Sequence, residues 1–179
     1  TDDSFDLLEQ WAERDDRVRV FQQGPEGIVS ALELARSQAT GFHLARMDAD
    51  DIASPYRFEL QTQLMESDST LVLCGCEVEY FPKENVKDGA LRYQEWLNSP
   101  ATSEEIAKEV FVECPLAHPT FFMRADAIAS VGGYRDLGWP EDYDLLLRVW
   151  RSGGRLAKVP AVLMQWRETP QRLSRTNQR

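Results

Sequence analysis

Two acidic clusters stand out by the type and spacing of their residues. The first, Asp48-Ala49-Asp50-Asp51, directly follows the apolar segment from Phe42 to Met47. If the backbone stays extended through it, Asp48 and Asp50 project to one side and Asp51 to the other. Two hard oxygen ligands on one side, with coordination positions left open, suit Mg²⁺ or Mn²⁺ shared with a substrate phosphate. The second cluster, Gly138-Trp139-Pro140-Glu141-Asp142, opens an amphipathic run. Pro, Glu and Asp there complement a helix macrodipole. A carboxylate held at such a terminus and facing a cleft can also take a proton from a hydroxyl nucleophile. A ligating pair and a separate base together make a set for displacing a phosphate leaving group.

Each cluster has competing explanations. With 14 Asp in 179 residues, chance supplies about one Asp-x-Asp. The chain has two, the other being Asp142-Tyr143-Asp144. Asp48 to Asp51 can also be a solvated loop that caps the helix after it. An EF-hand loop starting at Asp48 has Glu59 at its twelfth place but Ile52 and Ala53 where a ligand and a glycine are needed, so it fails. Phosphatases that form an aspartyl phosphate usually follow their Asp-x-Asp with Gly and Thr, where this chain has Asp51 and Ile52.

The elements that must position these groups alternate along the chain. Helices are expected from Ser4 to Arg14 (with Asp3 as cap), from Ile28 towards Gly41, and after Pro55 through Phe58, Leu60, Leu64 and Met65. Further helices are expected from Ser103 to Cys114, Ala125 to Val131 and Pro140 to Ser152. Strands are expected at Arg17 to Phe21, Phe42 to Met47, Leu71 to Phe81, Pro119 to Arg124 and Leu156 to Trp166, the last interrupted at Pro160. The signal from Pro82 to Ser99 is mixed. This alternation implies an α/β domain with a mostly parallel sheet over residues 1–168. Residues 169–179 read as a polar, mobile tail. Ligands of such a sheet gather outside the carboxyl ends of its strands, where Asp48 to Asp51 falls.

Composition narrows the partners. Twenty basic against thirty acidic residues give a net charge of −10, which excludes a phosphate-backbone footprint and hence nucleic acid. No apolar run spans a bilayer and no leader opens the chain. Cys74, Cys76 and Cys114 have no paired spacing and read as reduced thiols, which makes a cytoplasmic setting the expectation. The two histidines, His43 and His118, stand too far apart for a local zinc pair.

The order of these motifs resembles family 2 glycosyltransferases, the inverting enzymes of the GT-A fold. The resemblance rests on Met47-Asp-Ala-Asp-Asp-Ile-Ala-Ser-Pro-Tyr-Arg-Phe-Glu-Leu-Gln61, on the helix from Gly27 to Ala39, and on His118-Pro-Thr-Phe-Phe-Met-Arg124. It continues through Gly132-Gly133-Tyr134, Glu141-Asp142-Tyr-Asp-Leu145, and Trp166-Arg167 followed by Leu173-Ser174. The resemblance implies a Rossmann-like three-layer sandwich and a donor diphosphate bound by Asp48, Asp50 and Asp51 through Mg²⁺ or Mn²⁺. Asp50 would be the direct metal ligand, with Asp48 nearer the ribose. Asp142 would be the general base, with Glu141 beside it and His118 and Trp139 on the acceptor side. Arg57 would anchor its helix, and Arg167 would do the same or reach a phosphate. The donor would be a nucleotide sugar, UDP-type by default, and the acceptor a sugar, a lipid-linked molecule or a protein. Polysaccharide or cell-envelope synthesis follows by analogy, with peripheral association at the inner face of the membrane.

The family opens with a strand carrying Pro-x-Tyr-Asn and a second ending in Asp-Asp-Gly-Ser. This sequence has neither, and Thr1-Asp2-Asp3-Ser4 looks like the trailing edge of the second. The expectation is an N-terminally incomplete domain whose open sheet edge invites self-association. Two other functions use the same residues: a non-catalytic interaction domain of this fold, and a metal-dependent phosphoryl or nucleotidyl transferase.

Overall fold

The computed structural model describes residues 3–169. Thr1, Asp2, Leu173-Ser174 and nearly all of the expected tail lie outside the described residues. The chain divides into two compact units with their boundary between Ala39 and Thr40.

The first unit holds helices α1 (Ser4–Ala12) and α2 (Ile28–Gln38). Asp3 sits at the α1 N-cap without a side-chain cap bond. Gly27 enters α2 at φ 88°, a conformation that favours glycine. The strand expected at Arg17 to Phe21 does not form. Alternation alone does not make a strand without a hydrogen-bonded neighbour. The Arg19 guanidinium instead donates to the Gln38 carbonyl at 2.8 Å and to Gln38 Oε1 at 3.1 Å, running this segment along the end of α2.

The second unit is built on a five-stranded sheet. Its strands are β1 (His43–Ala45), β2 (Ile52–Ala53), β3 (Leu71–Phe81), β4 (Phe122–Arg124) and β5 (Arg155–Arg167), in the order β1-β4-β3-β5-β2. The expected mostly parallel sheet is corrected here: only β3 and β5 pair in parallel, while β1·β4, β3·β4 and β2·β5 are antiparallel. Residue periodicity fixes which face a side chain takes and not which way the neighbouring strand runs. β5 is continuous through Pro160. Its register against β3 jumps from Cys76↔Val159 to Glu77↔Val162, so the residue without an N–H falls in a bulge.

Helices α3 (Arg57–Ser67) and α4 (Asp88–Asn98) pack on β3, α5 (Ser103–Glu109) on β5 and α6 (Ala125–Ser130) on β4. Helix α7 (Glu141–Arg151) also reaches β5. α5 stops short of the expected Cys114, and its cap is Thr102, in a reciprocal box with Glu105. The ambiguous stretch after Pro82 contains α4. Two of its amides close the flank of β3: Asn98 donates to and accepts from Val78 at 2.9 and 3.0 Å, and Gln94 accepts from Tyr80 N–H at 2.7 Å. A sheet flank satisfied in this way is no longer open there to a second chain.

Cys74 and Cys76 are buried free thiols, as their apolar context implies. Gly75 between them is required by close approach: a Cβ there would stand 2.9 Å from Thr120 Oγ1 and 3.1 Å from Leu116 Cδ2. The segment from Cys114 to Met123 thereby lies buried against β3.

One polar network crosses this core. Arg57 is 1% exposed and Gln61, one turn on, is 0% exposed. Arg57 Nε donates to Gln61 Oε1 at 3.0 Å, and Gln61 Nε2 donates to the Thr120 carbonyl at 2.8 Å. Replacing Gln61 by Leu orphans a buried guanidinium N–H and a buried carbonyl together. Gln61→Leu should lower the unfolding free energy by about 2–4 kcal/mol, whereas Gln63→Leu, on the exposed face, should stay within about 0.5 kcal/mol. Urea denaturation of the two variants checks this.

Candidate active site

β1 ends at Ala45, and the chain then turns instead of running on extended. Asp51 N–H donates to the Asp48 carbonyl at 3.3 Å. The alternation expected for Asp48 and Asp50 is therefore absent, and a turn disposes the three acids. Asp50 is exposed and Asp48 is half-buried, whereas Asp51 is 7% exposed and faces inward.

Three arginines hold this turn. Arg57 Nη2 donates to the Arg46 carbonyl at 2.7 Å, anchoring α3 to the chain just before the acids. Arg46 Nη1 pairs with Asp48 Oδ2 at 2.5 Å, its side chain only 9% exposed. Arg167, at the end of β5, donates its backbone N–H to Asp51 Oδ1 at 2.8 Å and its Nε to the Asp50 carbonyl at 2.7 Å. Its guanidinium lies 4.3 Å from the Phe81 ring centroid. The structure thus gives Asp51 a clamping position, while Asp50 faces solvent and Asp48 lies half-buried against Arg46.

Asp51 Oδ2 has no hydrogen-bond partner among the described residues. Burial raises the Asp51 carboxyl from 3.8 to about 6. The Arg167 N–H and the Arg46 charge oppose the rise, and the charges of Asp48 and Asp50 add to it.

The second cluster lies at the start of α7, with Pro140 as N-cap and Glu141 and Asp142 in the first turn. Asp142 is half-buried, and its Oδ1 accepts the Tyr143 N–H at 2.8 Å. Burial and then the Glu141 charge push its carboxyl up to about 6, against the Tyr143 N–H, its own N–H and Arg46. Trp139 is 43% exposed beside this terminus, with its ring 5.9 Å from Tyr143. The Tyr143 hydroxyl donates to the Val110 carbonyl at 2.7 Å.

His118 takes an interior position. It is 7% exposed, with Nε2 2.9 Å from the Tyr134 hydroxyl and Nδ1 3.5 Å from Glu141 Oε1. Burial, helped by Arg46, holds its pKa well below the usual histidine value, so the ring is neutral.

Sequence reasoning missed Arg46. Its charge acts on Asp51, His118 and Asp142, besides pairing directly with Asp48. Both acidic clusters therefore lie within the field of one largely buried cation. The available signal was a charged residue ending an apolar strand immediately before the acids.

The residues present fit a divalent cation of the Mg²⁺ or Mn²⁺ type. The Asp50 carboxylate is exposed and makes no hydrogen bond among the described residues, and Asp48 commits one oxygen to Arg46. Among the described residues no three His, Cys, Asp or Glu side chains converge. One or two protein carboxylates, with the remaining shell from phosphate and water, is the pattern typical of Mg²⁺.

A sequence model of the family described as glycosyl transferase family 2 matches residues 1–132. The amylovoran biosynthesis glycosyltransferase AmsE of Erwinia amylovora is 35% identical over 141 residues, covering 79% of this chain and 50% of its own length. The chain spans about half the length of the curated relatives it matches. Among solved structures, the mannosyltransferase PcManGT from Pyrobaculum calidifontis, in complex with GDP-Man and Mn²⁺, superposes with a TM-score of 0.64 at 21% identity, over 96% of this chain and 46% of its own. TarS 1-349 of S. aureus, in complex with UDP-GlcNAc, gives a TM-score of 0.70 at 12% identity, over 94% and 47%. At these identities the likeness is one of fold.

The raised Asp51 value has a defined consequence for stability. Its folded pKa lies above the unfolded value, so ionisation opposes folding: the cost is absent below about 4, grows between about 4 and 6 and is complete above 6. Asp51→Asn keeps the oxygen facing the Arg167 N–H and removes this titration. Relative to wild type, the variant should gain on the order of 1–2 kcal/mol of stability between pH 4.5 and pH 7.5. Denaturant midpoints of both proteins across that range measure the difference, which stays flat if Asp51 titrates normally.

Proposed function

The chain belongs to glycosyl transferase family 2 with the GT-A fold, and on that premise we propose that it carries the donor-metal and base groups of an inverting, metal-dependent sugar transfer. The observation that carries this reading is the position of Arg46. Its side chain pairs with Asp48 in the acidic turn at 2.5 Å. Its backbone N–H donates at 2.9 Å to the Phe121 carbonyl in the buried segment of His118, whose Nδ1 stands 3.5 Å from Glu141 at the head of α7. A donor diphosphate site and a base for the acceptor hydroxyl need that proximity for an in-line displacement.

In this proposal Asp50 and Asp48 hold a divalent cation together with the diphosphate of a nucleotide sugar. When bound, the cation supplies charge stabilisation for the departing nucleoside diphosphate. Asp142 takes the proton of the acceptor hydroxyl as that oxygen attacks the anomeric carbon from the opposite face, inverting it. With a pKa of about 6, Asp142 is ionised at neutral pH yet basic enough to accept a proton, which is where a general base is most effective. Trp139, exposed beside it, offers an apolar face to a sugar ring. Arg167 and Asp51 keep the turn in place, and Arg46 aligns Asp48.

The relatives' names set the wider expectation. AmsE is named for amylovoran biosynthesis, and the two solved structures contain GDP-Man and UDP-GlcNAc. We therefore propose a nucleotide-sugar donor and an acceptor hydroxyl of a growing polysaccharide or lipid-linked glycan, at the cytoplasmic face of the membrane. Among the described residues no helix is long and apolar enough to cross a membrane.

Two variants test the assignment. In calorimetric titrations with UDP and with GDP, Mn²⁺ should strengthen binding and Asp50→Ala should abolish that gain. In the intact protein, Asp142→Asn should reduce transfer by about 10²–10⁴-fold while nucleotide binding stays within about twofold. Transfer at near wild-type rate by Asp142→Asn removes Asp142 as the base. Mn²⁺-independent binding unaffected by Asp50→Ala removes the metal site.

A further inference from the structure

His118 Nδ1 stands 3.5 Å from Glu141 Oε1, a facing contact longer than a formed hydrogen bond, and burial keeps the ring uncharged. A protonated histidine at 3.5 Å would largely cancel the charge of Glu141. A neutral one can only orient it. The tautomer follows from the neighbours: an Nδ1 lone pair aimed at a carboxylate is repulsive, so Nδ1 carries the proton and Nε2 accepts from the Tyr134 hydroxyl. We infer that Tyr134 and His118 form a neutral relay that holds Glu141 as a fixed negative charge beside Asp142, making Glu141 and His118 positioning residues for the base.

The relay is held at both ends by α7. Arg148, seven residues after Glu141, pairs with Asp144 at 2.6 Å and donates to the Val131 and Gly133 carbonyls at 2.5 and 2.6 Å. These bonds fix the Gly132-Gly133 turn that presents Tyr134. The path from Arg148 through Tyr134 and His118 returns to Glu141 at the first turn of the same helix. The buried segment from Cys114 to Met123 gives His118 little freedom to leave it.

Other groups facing Asp142 do not replace Glu141 in this duty. Arg46 from the turn after β1 acts in the opposite direction, and Tyr143 donates a backbone N–H to the carboxylate. Cys114, close enough for Asp142 and Glu141 to act on it, is held as a neutral thiol by burial. Glu141 is the anion whose charge raises the Asp142 carboxyl, and at 19% side-chain exposure it is only partly screened.

This inference rests on Asp142 being the base, so its test uses a readout that needs no turnover. The carboxyl ¹³C shift of Asp142 is titrated by NMR in the chain and in three variants. Wild type should show a midpoint near 6. Glu141→Gln, nearly isosteric and close to the surface, should lower it by about half to one pH unit. His118→Gln, which keeps a partner for Tyr134 and releases Glu141, should move it the same way by a smaller amount. His118→Asn, which presents an amide N–H toward Glu141, should leave it closer to wild type than His118→Gln does. An unshifted midpoint in folded Glu141→Gln overturns the relay, as does a midpoint that His118→Asn and His118→Gln leave equally unchanged. Continued transfer by Asp142→Asn, with the midpoint still moved by Glu141→Gln, overturns the base assignment while leaving the electrostatic link standing.

Discussion

A guanidinium shielded from water is costly unless oxygens meet its donors, and that constraint organises the second unit. Arg57 is 1% exposed; its Nη2 reaches the Arg46 carbonyl directly and its Nε the Thr120 carbonyl through Gln61, while Nη1 has no partner among the described residues. The first carbonyl ends β1 just before the acidic turn. The second belongs to the short helix His118–Thr120 that carries the relay histidine. One helix residue thus sets the backbone at both halves of the site. An unpaired buried charge costs several kcal/mol, far more than a surface ion pair contributes. The acids are therefore placed by the core, not by their own mutual contacts.

The site itself balances excess negative charge with few cations. Asp48, Asp50 and Asp51 are three residues of a four-residue turn, and Glu141 and Asp142 are consecutive. Arg46 opposes the raised values of both Asp51 and Asp142 and pairs with Asp48, so its single charge is shared among groups from two elements. Arg167 contributes mainly through its backbone N–H and the Asp50 carbonyl, with its guanidinium also over Phe81. The exposed turn keeps a net negative charge that favours a divalent cation, whereas the inward carboxylates are the ones driven toward neutrality.

How far this was legible in the sequence depended on whether local patterning or tertiary pairing decided the element. β3 over Leu71 to Phe81 and α7 at its Pro140 start were readable, because a long apolar run and a Pro-Glu-Asp opening are local signals. Arg57 as an anchor, and the buried thiols flanking Gly75, followed from composition and resemblance. Strand direction did not, since β4 is three residues long and its pairing with β1 and β3 is decided by chain return. α4 was obscured because only Leu97 is buried on it, and its decisive contacts are the amides of Gln94 and Asn98. Whether the acids lie on an extended strand or in a loop stayed open, because the hydrogen bond from Asp51 to Asp48, and the hold of Arg167 from the far end of β5, are invisible in the local pattern. The burial of His118, which the resemblance set on the acceptor side, was hidden for the same reason: nothing near it in sequence announces that ten consecutive residues around it are buried.

The position of Asp142 sets two effects against each other, and their sizes decide its chemistry. A carboxylate in the first turn of a helix gains about 0.3–1 kcal/mol from the macrodipole, which favours the ionised form by less than one pKa unit. Its bond from the Tyr143 N–H and the charge of Arg46 act in the same direction. Burial and the adjacent Glu141 outweigh all three, leaving the group near 6 instead of below 4. A helix terminus alone would make a stable, weakly basic anion, well suited to capping and poor at accepting a proton. The partial withdrawal of the first turn of α7 from water, and the placing of a second carboxylate against it, move a capping acid toward the basicity that the proposed role asks of it.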